Sequence, residues 1–187
     1  MGASESVEPG RRSTAFEGGV RAADRTDLAA ITELYNHYIR TSPATFDLDP
    51  FRASDRSEWY DDHIRGPGHV LLVAEQGGSV VGFAGSGTFR SKAAYSTTIE
   101  TSVYCAAGWE GRRIGDALYT ELFRRIAGSG AHRAVAGITL PNPASVALHR
   151  RHGFERSGEF HEVGRKFGRF WDVAWYEKRL DATATTE

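Results

Sequence analysis

The chain has 187 residues with 23 basic and 24 acidic side chains, a formal charge of −1. Charges this evenly balanced create no field to draw in nucleic acid or a membrane surface, which leaves a small molecule or another protein as the partner. The lone cysteine, Cys105, excludes an internal disulfide framework and suits a reducing cytosol, and no apolar run approaches the roughly 18 residues of a membrane span, so a soluble cytoplasmic protein of one domain is expected.

Met1 to Gly19 is rich in Gly, Ser, Glu and Arg and reads as a disordered leader, with residues 20–180 as the folded domain and Asp181 to Glu187 as a flexible tail. The opening M-G-A-S-E-S also fits the short myristoylation pattern at Gly2 and Ser6. A strand is expected over Gly19 to Ala22, then a cap at Asp24 or Thr26 and a helix from Asp27 to Arg40. Leu28, Ile31, Leu34, Tyr35 and Tyr38 form its apolar stripe. Two prolines bar helix from Thr41 to Pro50, and a shorter helix around Ser54 to Ile64 would bury Trp59 and Ile64. His69 to Ala74 and Ser79 to Ala84 are apolar runs joined through Gly77-Gly78, a hairpin signal because paired glycines accept the positive φ of tight primed turns. A strand from about Thr97 to Cys105 follows, then a helix from Ile114 to about Gly128 and a strand over Ala134 to Leu140. Asn142-Pro143 caps a helix to His152, and strands over Phe154 to Glu162 and Trp171 to Leu180 complete the order β-α-α-β-β-β-α-β-α-β-β, an α+β (mixed α/β) domain.

Strand alternation over Thr98 to Cys105 sets Thr98, Glu100, Ser102 and Tyr104 on one face and Ile99, Thr101, Val103 and Cys105 on the other. A carboxylate in mid-strand loses solvation, which raises its pKa and makes Glu100 a better base near neutral pH; a solvent-facing or ion-paired glutamate fits the spacing equally well. The Gly/Arg-rich turn at Glu110 to Gly115 leads into a helix whose first N–H groups lack internal partners, a ready site for phosphate. His149 stands alone in mid-helix, and none of the seven histidines shows metal-ligand spacing, so no metal is expected. Arg90 and Lys92, near Phe89 and Tyr95, suit either an anionic substrate or an ordinary solvated loop.

The segments Y-N-H-Y at Tyr35, A-T-F at Ala44, F-R-S-K-A-A-Y at Phe89, T-I-E-T-S-V-Y at Thr98, N-P-A-S-V-A-L-H at Asn142 and V-G-R-K-F-G-R at Val163 resemble the phosphinothricin and methionine sulfoximine N-acetyltransferases of the GNAT superfamily, in order from Val20 to Leu180. The resemblance implies a central mixed, twisted sheet flanked by helices, with a β-bulge splaying two central parallel strands. It implies transfer of acetyl from acetyl-CoA to the α-amine of a glutamate-like amino acid, in a homodimer. Glu100 and His149 match the catalytic positions. Phe46, Phe89, Arg90, Ser91, Lys92, Tyr95, Ile99, Thr101 and Val173 match the amino-acid pocket. Val103, Tyr104, Cys105, Gly111, Arg112, Arg113, Ile114, Gly115, Asp116, Asn142 and Ser145 match the acetyl-CoA side.

One departure stands out. The superfamily's phosphate loop usually reads Gln/Arg-x-x-Gly-x-Gly/Ala, whereas here Glu110 opens it and Arg113 replaces the first glycine of the pair. A side chain at Arg113 crowds the phosphates, yet Arg112 or Arg113 can pair with them by charge-assisted bonds. Two further readings stay open: a non-catalytic GNAT-fold module with a degenerate loop, and a GNAT enzyme acting on another primary amine.

Overall fold

A computed structural model describes residues 15–180. Seven strands form one sheet in the order β1-β2-β3-β4-β5-β7-β6. They are β1 (Gly19–Ala22), β2 (Val70–Gln76), β3 (Ser79–Thr88), β4 (Thr98–Cys105), β5 (Arg133–Thr139), β6 (Glu155–Lys166) and β7 (Arg169–Arg179). Every neighbouring pair is antiparallel except β4 and β5. Helices α1 (Leu28–Thr41) and α2 (Ser57–Asp62) cover one face, where Leu28, Ile31, Leu34, Tyr60 and Phe83 pack together. Helices α3 (Ile114–Ile126) and α4 (Pro143–Arg151) cover the other, over a larger core that includes Ile99, Leu118, Tyr119, Leu122 and Phe154.

The alternation expected of β4 is present. Ile99, Val103 and Cys105 belong to the α3 face and Tyr104 to the α1 face. Parallel pairing of β4 with β5 runs only from Thr98↔Arg133 to Glu100↔Val135. Beyond it β4 continues against β3 alone and β5 against β7 alone, so the centre of the sheet opens into a wedge with backbone along both sides. The expected splay is therefore there, but no bulge makes it: the β3–β4 register is unbroken, and the register shift in this half lies between Ala74 and Glu75 of the β2–β3 hairpin.

Three details differ from the sequence expectation. The second helix is a 3₁₀ turn at Ala53–Arg56 followed by the short α2; it buries Arg56 and Tyr60, while Ile64 lies past its end and is 50% exposed. The last hairpin runs further, to a turn at Phe167 (φ 52) and Gly168 (φ 75). Of the segment read as a leader, Phe16 packs against the larger core and its N–H donates to the Arg112 carbonyl at 3.1 Å. The myristoylation pattern and the tail from Asp181 lie outside the described residues.

Candidate active site

Glu100 is the last residue of the short parallel seam, so its side chain stands where the wedge begins. Two cavities meet there, both lined by Glu100, Thr101 and Ser102. One, of about 940 Å³, is a groove running along Val103 to Cys105 of β4, the 136–139 segment of β5 and the N-termini of α3 and α4. The other, of about 780 Å³, lies under α2 and is walled by Trp59, Asp62, His63, Arg65 and His69 together with Gly87 and Thr88 of β3. Partial burial raises the Glu100 carboxyl above its ordinary pKa.

At the far end of the groove the loop before α3 turns through Gly111 (φ 75) and Arg113 (φ 66, ψ 17). The arginine that replaces a glycine thus adopts the left-handed conformation a glycine would, at a strain of about 1–2 kcal/mol. Gly111, Arg113, Ile114, Gly115 and Asp116 all line the groove. Arg112 does not; its guanidinium stacks over the Trp109 ring at 4.6 Å. Asp116 is held by two 3.0 Å bonds from Arg151. At the start of α4 the Asn142 side chain accepts the Ser145 N–H at 3.0 Å and its carbonyl accepts the Val146 N–H at 3.0 Å; Pro143 has no N–H, which leaves that of Ala144 for a ligand.

Sequence position alone could not show the setting of His149. The ring is 3% exposed, its Nδ1 lies 2.8 Å from the Ser145 carbonyl and its Nε2 2.9 Å from the Tyr119 hydroxyl. A carbonyl only accepts, so Nδ1 carries the hydrogen and Nε2 accepts from Tyr119. Burial lowers its pKa, which keeps the imidazole neutral. Tyr119 also lies 3.4 Å from the Thr101 hydroxyl, which in turn is 3.4 Å from the Val135 carbonyl at the apex of the wedge. His149 lines the groove edge-on and braces that apex. Cys105 is likewise committed: its carbonyl accepts from the Tyr38 hydroxyl at 2.8 Å, and burial pushes its thiol up to about 11.

The amino-acid pocket implied by the resemblance is only partly assembled. Thr101 lines both cavities, but Ile99 is 1% exposed within the α3-side core, because alternation turns it away from Glu100. Val173 is also buried and lines neither cavity. Arg90, Ser91, Lys92 and Tyr95 are exposed beyond Thr88, with Arg90 over the rings of Phe89 (5.0 Å) and Tyr95 (5.6 Å). Phe46 lies flat on Gly164, where a Cβ would stand 2.2 Å from its ring, and Lys166 donates to the Thr45 carbonyl at 2.8 Å, strapping this loop to β6. Residues that sequence reasoning missed are those of α2 and its following loop, above all His63 and His69. A Glu159, His161 and Asp172 cluster on the β6–β7 hairpin also brings potential metal-ligand atoms together, outside both cavities.

Residues 31–154 match the acetyltransferase (GNAT) family. The chain is 48% identical over 163 residues to a phosphinothricin N-acetyltransferase of Streptomyces coelicolor, covering 86% of this chain and 95% of that one. It is 35% identical to an L-methionine sulfoximine/L-methionine sulfone acetyltransferase of Pseudomonas aeruginosa, covering 90% of this chain and 98% of that one. A phosphinothricin acetyltransferase of Sinorhizobium meliloti, solved with acetyl-CoA, superposes with a TM-score of 0.84 at 32% identity, covering 91% of this chain and 92% of that one.

Proposed function

The chain belongs to the acetyltransferase (GNAT) family and is an acetyl-CoA-dependent N-acetyltransferase; from that premise we propose that it acetylates the α-amine of a small glutamate-like amino acid of the phosphinothricin or methionine sulfoximine type. The observation that carries this reading is the junction of two cavities at one half-buried carboxylate. The long groove suits the acetyl donor: open backbone edges for the pantetheine arm at one end, and unpaired N–H groups behind Gly111 and Arg113 for the pyrophosphate at the other. The cavity under α2 suits the amine.

An α-ammonium carries no lone pair and must lose a proton before it attacks a thioester. In our reading Glu100 accepts that proton, the amine attacks the carbonyl carbon, and backbone N–H groups of Val103 or Tyr104 hold the developing oxyanion. The C–S bond then breaks and CoA leaves as the thiolate. His149, neutral and bonded at both nitrogens, serves by fixing the wedge through Tyr119. Arg90 and Lys92 would attract the anionic groups of the substrate at the outer rim. Acetylation of this kind would confer resistance to phosphinothricin-type herbicides. No helix among the described residues is long and apolar enough to cross a membrane, and we place the enzyme in the cytoplasm. Thiol release from acetyl-CoA, measured with phosphinothricin, methionine sulfoximine, methionine sulfone and ordinary amino acids, tests the reading; no release with any of them overturns it.

Arg113 gives a sharper expectation. Arg113→Ala removes a cation from the groove but keeps the left-handed residue, whereas Arg113→Gly removes both cation and strain. Both variants are expected to bind acetyl-CoA less tightly than wild type at low salt and to converge with it as salt rises. Without ligand, only Arg113→Gly should melt higher, by about 1 kcal/mol of stability. Calorimetric titration and thermal melts separate the two effects, and salt-independent binding by wild type would rule out the charge pairing.

We also propose a homodimer. Phe160, Val163, Phe167 and Phe170 on the β6–β7 hairpin are each more than half exposed, large apolar side chains of the kind that interfaces cover. Light scattering is expected to give twice the chain mass, and Phe167→Ser with Phe170→Ser to shift it toward the monomer.

A further inference from the structure

Strand β3 carries Gly85 and Gly87 in its interior, two residues apart and so on the same face. Glycine inside a strand forfeits packing and marks a close approach. The neighbour is the ring of His63, the residue after α2. A Cβ at Gly85 would meet His63 Cδ2 at 2.9 Å, and one at Gly87 would lie 3.6 Å from His63 Nε2. The ring also packs against Trp59, whose indole lies 4.3 Å away between centroids, tilted by 43°.

The tautomer follows from the hydrogen bond. His63 Nδ1 lies 2.8 Å from the Trp59 carbonyl, which can only accept, so the hydrogen sits on Nδ1 and Nε2 presents its lone pair toward β3. Gly87 is the cross-strand partner of Glu100. Side chains of directly opposed residues leave the same face with Cβ positions about 5 Å apart. Glu100 therefore leaves β4 on the face that His63 Nε2 approaches, 3.6 Å from where a Gly87 Cβ would stand, and Glu100, Gly87 and His63 all line the cavity under α2.

We propose that His63 Nε2 receives the proton that Glu100 takes from the substrate ammonium, and passes it to solvent through the mouth of that cavity. The inference rests on the acetyl-transfer reading above. Overall, an ammonium and a thioester become an amide, a thiol and one free proton. Nitrogen sheds two protons: one ends on the CoA thiolate, and the other must leave the site or Glu100 stays protonated and idle. In the transfer the Glu100 O–H bond breaks, the His63 Nε2–H bond forms, and the carboxylate regenerates for the next turnover. The imidazolium of His63 then yields its proton to water. Burial favours the neutral imidazole, with Arg56 and His69 acting in the same sense, against the Trp59 carbonyl and Asp62, so His63 does not hold the proton. Exposed Asp62 and Arg65 mark the opening.

Two variants separate this role from packing. His63→Asn places an amide N–H near Nδ1 and can keep the bond to Trp59 while deleting Nε2; His63→Gln places a polar group near Nε2 that takes up no proton. Both are expected to lower kcat about ten- to a hundredfold, toward the lower end of what a positioned proton acceptor supplies, with the amine KM changed less than about twofold. Turnover of both should rise with added imidazole, which substitutes as an external acceptor, while wild type stays unresponsive. Thermal melts identify which variant is folded, and the comparison is read on that one. Wild-type turnover in a folded variant, or a loss that imidazole leaves untouched, overturns the inference alone. A wild type that releases no thiol with any amine overturns it together with the acetyl-transfer reading.

Discussion

Glu100→Gln is expected to lower turnover by about two to four orders of magnitude while leaving acetyl-CoA affinity nearly unchanged. The same change should raise the melting temperature near neutral pH. Because burial raises the folded-state pKa of Glu100, the native protein binds that proton more tightly than the unfolded chain does. Stability then falls as pH climbs from the unfolded carboxylate value, about 4.3, through the folded value, and the penalty persists above it. Glutamine carries no charge and escapes this. Activity moves the opposite way with pH: only the ionised carboxylate accepts a proton, so kcat/KM of wild type should rise through the elevated pKa, and the variant should lose that limb. Stopped assays across pH with parallel melts check both halves. A variant that keeps more than half of wild-type turnover, or that melts lower than wild type, counts against Glu100 as the half-buried base.

The largest expected loss of stability is Phe83→Ala. Phe83 is 1% exposed and packs with residues of α1 and α2 against the sheet, with ring centroids 5.1 Å from Tyr104, 6.4 Å from Trp59 and 6.5 Å from Tyr35. Truncating a buried phenylalanine costs about 3–5 kcal/mol, which for a domain of this size lowers the melting temperature by on the order of 10 °C. Since Trp59 leans on that ring and His63 leans on Trp59, the amine KM should rise alongside. A melting shift below about 2 °C would show that the cluster repacks.

Local signals in the sequence were good guides where local chemistry decides the structure. Gly77 and Gly78 do take positive φ, at 60° and 77°, in the turn their pairing foretold, and Leu28, Ile31 and Leu34 are buried as their spacing required. Glu100 was legible because one strand and its alternation suffice to place it. The signals failed where a distant element decides. Ile64 looks like a helix-face residue, but α2 stops at Asp62 and the side chain beyond it is half exposed. The β6–β7 turn hid because Phe167, a bulky residue in a left-handed conformation, carries no turn signature of its own. His63 was invisible for a related reason: it meets β3 from a different element, and the trace of that contact is the pair Gly85 and Gly87, which as sequence reads simply as a weak strand.

The three-pair seam between β4 and β5 has a mechanical meaning. Four strands on one side and three on the other are two plates riveted along a line only three residues long, with the Thr101 to Val135 contact as an extra stitch. In the binding mode proposed above, a donor molecule laid in the gap and bonded to both backbones would be a temporary rivet. Binding to the folded chain alone adds about 2.7 kcal/mol at a hundredfold excess over Kd, and here that energy falls on the weakest line of the sheet. Amide exchange at Val103, Tyr104 and Ala136 to Ile138 should therefore slow most when the donor is present, and departure of the spent thiol should loosen the plates again. The resistance of this fold to unfolding thus rises and falls with the supply of its own reagent.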